Sequence, residues 1–428
     1  MAFDVCSFVK NLEPIDLERK IPKSEYESRI KTLQEILNNR GFDVGIAFGN
    51  ELRPGDTGWL TGYDPQIEPT AAVIGKKGLF VLGGPEGEAY AKETMMAGTF
   101  INVLEFKIPE EDYPGYEFMP LNKILFEAAG IEPKKIGILT LPSILPLEIF
   151  QLLKEIPNTE IIDASEILLD CRYQKSPQEL EMMSIAARIS TYAMKAMIAA
   201  IRPGLRELEV AACADYVMKA MGADRVGIST IVCSGWRAPN VIGRASNKII
   251  EEGDMIDLTV SARYDGLASC MGRTVIAGKA HPDQLEFIDI AIKAYEKGIE
   301  AISYSKPASE VDRIVRSILD PQGLSPLYSL VHGIGWTEAM EGKGAATQHS
   351  TWNFPKGIAF MLDLGIFGRS FKSLDKNHVG LRIENPFIID HEGNTKCLTS
   401  TFRFTVKLVK FINSFDQLRI IKGKTKSI

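Results

Sequence analysis

The chain has 428 residues, of which 45% are hydrophobic and 24% are charged, a composition typical of a globular protein with two or three domains. Its formal net charge of −6 excludes a global basic field of the kind that holds nucleic acid or an anionic membrane. No apolar run is long enough to cross a bilayer and the amino terminus lacks a secretory pattern, so we expect a cytoplasmic protein. Six cysteines without CxxC spacing predict free, mostly buried thiols.

Helical and strand patterns alternate over the first region of the chain. Apolar residues at helical spacing over 33–37 end near Gly41, and the residues over 42–48 predict a strand. Two strands are predicted around Gly75-Lys-Lys-Gly, because glycine permits the positive φ of a tight reversal. Further strands are predicted over 101–106 and 135–139, and further helices over 121–129 and 147–156. This alternation predicts an α/β domain over residues 1–172.

A helix start marks the junction to the second region. Ser176 can cap a helix that has a proline at its first position, and Glu179 lies three residues after the cap, as in a capping box. Later helices are predicted over 206–221 and 282–302. Helices followed by hairpins predict an α+β domain over 173–428, in which the last residues form a basic carboxy-terminal tail.

The stretch over 253–274 predicts a β-hairpin. Its turn is expected at Tyr264-Asp265-Gly266, where Asp and Gly are ordinary turn residues. We therefore interpret Asp265 as a turn residue and not as a site carboxylate. Asp257 shares a strand face with Thr259 and is a candidate to point a carboxylate toward a site.

Five short stretches of the second region occur in an order that resembles the pita-bread fold shared by methionine aminopeptidase, aminopeptidase P, prolidase and creatinase. They are Lys175-Ser-Pro-Gln-Glu, Glu252-Gly-Asp, His332-Gly-Ile-Gly, Phe360-Met-Leu-Asp-Leu-Gly-Ile-Phe and Gly380-Leu-Arg-Ile-Glu. In the first region, Gly58-Trp-Leu-Thr-Gly-Tyr is similar to the amino-terminal domain of creatinase, prolidase and aminopeptidase P. The resemblance implies an α/β amino-terminal domain followed by an α+β pita-bread domain of the creatinase and aminopeptidase type.

The metal ligands that the resemblance implies are degenerate in this chain. In the metallopeptidases of this family, two Asp, one His and two Glu hold two divalent ions, which need several anionic oxygens. The corresponding positions are Thr259, Cys270, His332, Asp363 and Glu384. Two carboxylates and an imidazole are too few for a tight two-metal cluster, so we expect no metal at this site. In many peptidases a His-Glu pair follows the histidine stretch, and here that pair falls on Ala339 and Met340.

Creatinase hydrolyses a C–N bond without metal, so the resemblance implies that catalysis can survive the loss of these ligands. We expect a hydrolase of a C–N bond in a small substrate, with His332, Asp363 and Glu384 as catalytic groups. The two carboxylates would repel, so one is expected to hold a proton near neutral pH. The residues predicted to bind substrate are Thr259, Cys270, Lys343 and Arg382. Together with Arg273, the last two suit a carboxylate group.

Three alternatives stay open at this point. The first is a metal-dependent Xaa-Pro aminopeptidase or dipeptidase. The second is a single zinc ion held by Cys270, His332, Asp363 and Glu384, although no cofactor is the first expectation. The third is a catalytically inactive pita-bread domain that serves as a binding protein, because a fold by itself implies no activity.

The resemblance to creatinase and prolidase also implies a homodimer in which one subunit's amino-terminal domain covers its partner's active site. The predicted covering segment spans 50–69 and includes Arg53, Trp59, Tyr63 and Asp64. The expected substrate is a small molecule or a short peptide, and neither nucleic acid nor a membrane is expected as a partner. In the tail, alternating apolar and basic residues over 402–412 predict a half-exposed strand.

Overall fold

A computed structural model of the chain describes residues 3–339, 341–342 and 345–400, so the strand predicted over 402–412 lies outside the described residues. The chain forms two compact units. The amino-terminal unit consists of Lys20–Gln174 and Gly335–Thr337. The carboxy-terminal unit consists of Met1–Arg19, Lys175–Ile334 and Glu338–Ile428, where these are described. The first helix, α1 (Val5–Lys10), therefore belongs to the carboxy-terminal unit, whereas the prediction assigned it to a domain over 1–172.

A mixed sheet of six strands forms the amino-terminal unit. The strands are β1 (Val44–Gly49), β2 (Thr70–Gly75), β3 (Gly78–Gly83), β4 (Thr99–Asn102), β5 (Lys135–Ile138) and β6 (Glu160–Asp163), in the order β4-β3-β2-β1-β5-β6. The helices are α2 (Lys23–Asn39), α3 (Gly55–Thr61), α4 (Glu88–Thr94), α5 (Leu121–Ala129), α6 (Leu147–Lys154) and α7 (Ser165–Tyr173). Strand β1 pairs antiparallel with β2 and parallel with β5. This arrangement confirms the predicted α/β class.

Elements of this unit form where apolar residues recur at the period of a helix or a strand. Leu121 and Ile124 of α5 share one face of the helix and are buried in the core beside the sheet. The strand predicted over 101–106 is wrong in its second half, where a single 3₁₀ turn follows β4. The chain turns there because Phe106 folds into the core, where its ring stacks on Phe48 with centroids 6.4 Å apart.

The carboxy-terminal unit also carries α8 (Pro177–Ala200), α9 (Glu207–Ala220), α10 (Pro282–Ala301) and α11 (Ala308–Leu319), and α8 and α10 are the longest of the described helices. The predicted cap of α8 is confirmed, because Ser176 Oγ accepts a hydrogen bond from the Glu179 amide at 3.0 Å and the Ser176 amide donates one to Glu179 Oε2 at 2.9 Å. Helix α11 was not predicted, although Val311, Val315 and Leu319 recur every four positions and are buried. Within the described residues, no helix has the length and the apolar run needed to pass through a membrane.

A second sheet, of eight strands, forms the centre of this unit. Its strands are β7 (Arg225–Val226), β8 (Ile231–Ser234), β9 (Met255–Tyr264), β10 (Leu267–Ile276), β11 (Val331–Gly333), β12 (Ile358–Phe367), β13 (Gly380–Ile389) and β14 (Thr395–Cys397). The order is β11-β12-β13-β10-β9-β7, with β14 beside β13 and β8 beside β9. Strands β9 and β10 form the predicted hairpin. Its turn residues Asp265 and Gly266 have φ of 49° and 80°, which confirms the turn interpretation of Asp265.

The register of this sheet brings residues of four strands into one row. Thr259 of β9 pairs with Gly272 of β10, and Gly272 pairs with Glu384 of β13. Glu384 in turn pairs with Asp363 of β12. Because side chains alternate along a strand, Cys270 lies on the same face as this row. The sheet therefore gathers residues that are far apart in the sequence.

Candidate active site

A glycine in the middle of the row makes space for the side chains beside it. A Cβ atom at Gly272 would lie 2.6 Å from Arg382 Cδ and 2.9 Å from Glu384 Cβ, closer than packed atoms approach. The absence of a side chain on β10 therefore lets Glu384 and Arg382 occupy the face of the sheet.

The three predicted catalytic residues come together in what we call the histidine cluster: His332, Asp363 and Glu384 each offer a donor atom within 4.8 Å of the others. His332 Nε2 lies 3.5 Å from Glu384 Oε1. The Tyr328 hydroxyl, which the sequence did not single out, donates a hydrogen bond of 3.0 Å to Asp363 Oδ1. The side chain of His332 keeps 28% of its surface exposed while both carboxylates are buried, so a substrate would meet the imidazole first.

The protonation states within the histidine cluster differ from one group to the next. Burial and the charge of Glu384 raise the pKa of Asp363 to about 7. Burial alone would raise the pKa of Glu384, but the hydrogen bond from His332 and the charge of Arg382 bring it below its ordinary value. Burial opposes the charge on His332, yet the bond to Glu384 and the nearby carboxylates raise the pKa of the imidazole to about 9. One carboxyl group thus holds a proton over part of the neutral range, as the sequence led us to expect.

A second donor group, which we call the thiol cluster, consists of Cys270, Glu338 and Glu384, whose donor atoms all lie within 4.8 Å of one another. Cys270 Sγ donates a hydrogen bond of 3.3 Å to Glu384 Oε2, and the Ser261 hydroxyl donates one to Glu338 Oε2. Burial and the charges of Glu338 and Glu384 raise the pKa of the Cys270 thiol well above its ordinary value. Glu338 was not predicted from the sequence, although this residue follows His332 by only six positions.

The side chain of Arg382 lies in the site, between Thr259 and Asp363. Its Nη1 donates a hydrogen bond of 3.3 Å to Thr259 Oγ1, and its Nη2 donates one of 2.5 Å to the carbonyl of Val241. Its Nε lies 3.9 Å from Asp363 Oδ1. The guanidinium is buried, so its positive charge offsets part of the negative charge of the carboxylates. The binding of substrate by Arg382 and Thr259 stays a prediction.

Arg273 has a structural role that the sequence did not indicate. Its Nη1 donates to the carbonyls of Gly272 and Glu384 at 2.6 and 2.8 Å, and its Nη2 donates to Asn385 Oδ1 at 2.7 Å. The side chain is fully buried and ties β10 to β13, so the suggestion that it fixes a substrate carboxylate is wrong. Lys343 lies outside the described residues, and its role in substrate binding stays a prediction.

Asp257 lies on the same face of β9 as Thr259, as the strand pattern predicted. Its side chain is fully buried, and neither carboxylate oxygen has a hydrogen-bond partner among the described residues. Burial raises the pKa of this carboxyl to about 7, the positive charge of Arg382 opposes the rise, and the charge of Glu384 adds to it. Asp257 therefore interacts with the site through charge rather than through a hydrogen bond.

The fold, together with the carboxyl groups gathered on one face of the second sheet, defines a two-domain hydrolase of the pita-bread class. The family profile described as metallopeptidase family M24 matches residues 181–391. The Xaa-Pro dipeptidase of Pyrococcus horikoshii is 30% identical over 312 residues, which cover 72% of this chain and 85% of that protein. The Xaa-Pro dipeptidase of Pyrococcus furiosus is 29% identical over 330 residues, which cover 76% of this chain and 88% of that protein. The chain belongs to metallopeptidase family M24.

Solved structures give the same result. The prolidase from Pyrococcus horikoshii has a TM-score of 0.72 and 26% identity, and the match covers 88% of this chain and 99% of that one. An Xaa-Pro dipeptidase from Bacillus anthracis, at 22% identity, has a TM-score of 0.72 over 89% of this chain and 99% of that one, and shows likeness of fold. The predicted family, fold class and hydrolase class are confirmed.

Proposed function

We propose that the chain hydrolyses the C–N bond of a small, carboxylate-bearing substrate of the Xaa-Pro peptide class, with the histidine cluster as its reactive centre. Relatives that carry the names Xaa-Pro dipeptidase and prolidase support the choice of substrate. The observation that carries the proposal is the approach of His332, Asp363 and Glu384 donor atoms to within 4.8 Å. An imidazole and two carboxyl groups with different proton affinities supply both an acid and a base.

The family description implies a metal ion, so it gives no support to the expectation that no cofactor binds. The ligand set for two ions does not fit, because Thr259 offers a neutral hydroxyl that accepts a hydrogen bond from Arg382. One ion does fit the ligand atoms beside Glu384, in either the histidine cluster with its imidazole or the thiol cluster with its sulfur. Such an ion would supply Lewis-acid polarisation of the scissile carbonyl and a bound water of lowered pKa.

The protons of the reaction are assigned to the chain's own residues. Glu384, ionised, accepts a proton from water as the water oxygen bonds to the carbonyl carbon. Asp363, in its protonated form, donates a proton to the departing nitrogen as the C–N bond breaks. The imidazolium of His332 stabilises the negative charge that develops on the carbonyl oxygen. The positive charge of Arg382 reduces the repulsion between the carboxylates of Asp363 and Glu384.

The test measures proline release from a panel of Xaa-Pro dipeptides, with chelator, without additions, and with added Zn²⁺ or Mn²⁺. We expect turnover in at least one condition, and we expect Glu384→Gln and His332→Ala each to lower kcat by about 10²–10⁴-fold. The matched controls are Glu296→Gln and His378→Ala, whose side chains are exposed. Far-ultraviolet circular dichroism of each variant checks that the fold is intact.

Two outcomes would contradict the proposal. If no dipeptide is cleaved under any of these conditions, the chain is better described as a binding protein built on the pita-bread fold. If the His332 and Glu384 variants keep the turnover of the wild-type chain, the reaction takes place elsewhere and the histidine cluster is structural.

We also propose that the chain acts as a cytoplasmic homodimer. Six free cysteines suit a reducing compartment. Two residues of the predicted covering segment, Trp59 and Tyr63, are buried within the amino-terminal unit at 5% and 2% exposure, so they are not available to a partner. Leu52 and Ile67, at 83% and 72% exposure, are the large apolar side chains that this segment presents instead.

A further inference from the structure

The carboxylate of Glu384 separates two sets of donor atoms. Its Oε1 lies 3.5 Å from His332 Nε2, on the side of the histidine cluster. Its Oε2 lies 3.3 Å from Cys270 Sγ, on the side of the thiol cluster. One carboxylate therefore has one oxygen beside each set of atoms. Cys270 and Glu338 take no part in the proposed proton transfers.

Glu338 gives the thiol cluster an unsatisfied acceptor. Its Oε2 accepts a hydrogen bond from Ser261, but its Oε1 is buried and has no hydrogen-bond partner among the described residues. A buried carboxylate oxygen without a partner costs free energy, and a bound cation removes that cost. Glu338 Oε1 thus has the property expected of an atom that binds a cation.

The composition of the thiol cluster selects among cations. Sulfur is a soft donor that favours Zn²⁺ and chemically similar ions, whereas Mg²⁺ and Mn²⁺ favour sets made only of oxygen. One thiolate and two carboxylates supply three anionic ligands, and a fourth position is left for water, as in catalytic zinc sites. The substitution of Cys270 for a family carboxylate therefore changes the metal preference and does not simply remove a ligand.

We propose that Cys270, Glu338 and Glu384 Oε2 bind one thiophilic divalent cation, of which Zn²⁺ is the type, with Cys270 as a thiolate. When the cation binds, the S–H bond breaks, the sulfur–metal bond forms, and the proton leaves to solvent. His332 is not a ligand in this site and keeps its contact with Glu384 Oε1. The inference concerns cation binding, and it does not depend on the proposed peptidase activity.

The experiment uses the full chain, stripped of metal with a chelator that is then removed. Titration with Co²⁺ reports thiolate ligation through a sulfur-to-cobalt charge-transfer band in the near ultraviolet, and competition with a coloured chelator gives the affinity for Zn²⁺. We expect one ion per chain with the charge-transfer band present. Cys270→Ser removes the band, and Glu338→Gln weakens Zn²⁺ binding by at least about tenfold. Cys233→Ser, a thiol of matched burial, leaves both unchanged.

His332→Ala separates this inference from the proposed function. It should lower kcat by about 10²–10⁴-fold, yet keep the charge-transfer band, because His332 serves the reaction and not this cation site. If Co²⁺ binds without the band, or if Cys270→Ser and Glu338→Gln leave the Zn²⁺ affinity unchanged, the cation lies on other ligands and the inference is overturned. It is overturned equally if the stripped chain binds no ion. Thermal unfolding of each variant confirms that the measured protein is folded.

Discussion

Among single residues, Asp257 has the most costly surroundings of the carboxyl groups at the site. Its side chain is 0% exposed and its oxygens have no hydrogen-bond partner among the described residues. The pKa of this carboxyl rises, mainly through burial, from the ordinary 3.8 to about 7. The folded chain therefore binds this proton more tightly than the unfolded chain does, and stability is lost as the pH rises from near 4 toward about 7.

Asp257→Asn should remove this loss, because a neutral amide does not titrate. We expect the variant to gain stability relative to the wild-type chain between about pH 5 and about pH 8, while the difference changes little above that range. Thermal unfolding of both proteins at the two pH values measures the difference in melting temperature. Asp289→Asn is the control, since the side chain of Asp289 is 47% exposed. Its substitution should change the melting temperature by the same amount at both pH values. A difference for Asp257→Asn that does not vary with pH would contradict the prediction.

At the scale of elements, helix α8 connects a local sequence signature to the position of the site. The Ser190 hydroxyl of this helix donates a hydrogen bond of 2.6 Å to the carbonyl of Ser269, and it accepts one of 2.9 Å from the amide of Ala262. These bonds reach both strands of the hairpin that carries Thr259 and Cys270. The stability of the helix therefore contributes to holding the hairpin in place.

Ser176→Ala removes the hydroxyl that caps α8. We expect the free energy of unfolding to fall by about 1 kcal/mol, because the Glu179 amide loses its acceptor at the first turn. The midpoint of urea denaturation measures this change. The control is Ser184→Ala in the same helix, whose hydroxyl bonds to the Leu180 carbonyl at 2.8 Å and whose loss should change stability by less than about 0.5 kcal/mol. Equal losses for the two variants would rule out a specific contribution from the cap.

At the scale of the whole molecule, the mass in solution tests the proposed homodimer. One chain has a mass of 47.3 kDa, so sedimentation equilibrium should give about twice that value for the wild-type protein. Leu52→Glu combined with Ile67→Glu should shift the mass toward that of one chain, because two charges would enter an apolar contact. Leu147→Glu is the control, since Leu147 is 69% exposed in the same unit but lies outside the predicted segment. A wild-type mass of one chain would show that the dimer does not form.

The separation in sequence between interacting residues explains which predictions were confirmed. Helix α5 and the cap of α8 were predictable because both depend on residues within a few positions of each other, and so was the turn at Asp265. The order of five short stretches predicted the pita-bread fold. The predicted division at residue 172 could not show that Met1–Arg19 belongs with the carboxy-terminal unit. The Tyr264 hydroxyl donates a hydrogen bond of 2.9 Å to the carbonyl of Arg19. These residues are 245 positions apart, and no local pattern spans that separation.

What the sequence determined by itself was the family, the two kinds of domain and the three residues that meet in the histidine cluster, because motif order and periodicity are properties of neighbours along the chain. Only the tertiary structure decided that Glu338 joins Cys270, that Arg273 ties strands together, and that Asp257 is buried without a hydrogen-bond partner among the described residues. Cys270 and Glu384 are 114 positions apart and meet at 3.3 Å. Strand register sets that distance, and register depends on the packing of the whole sheet.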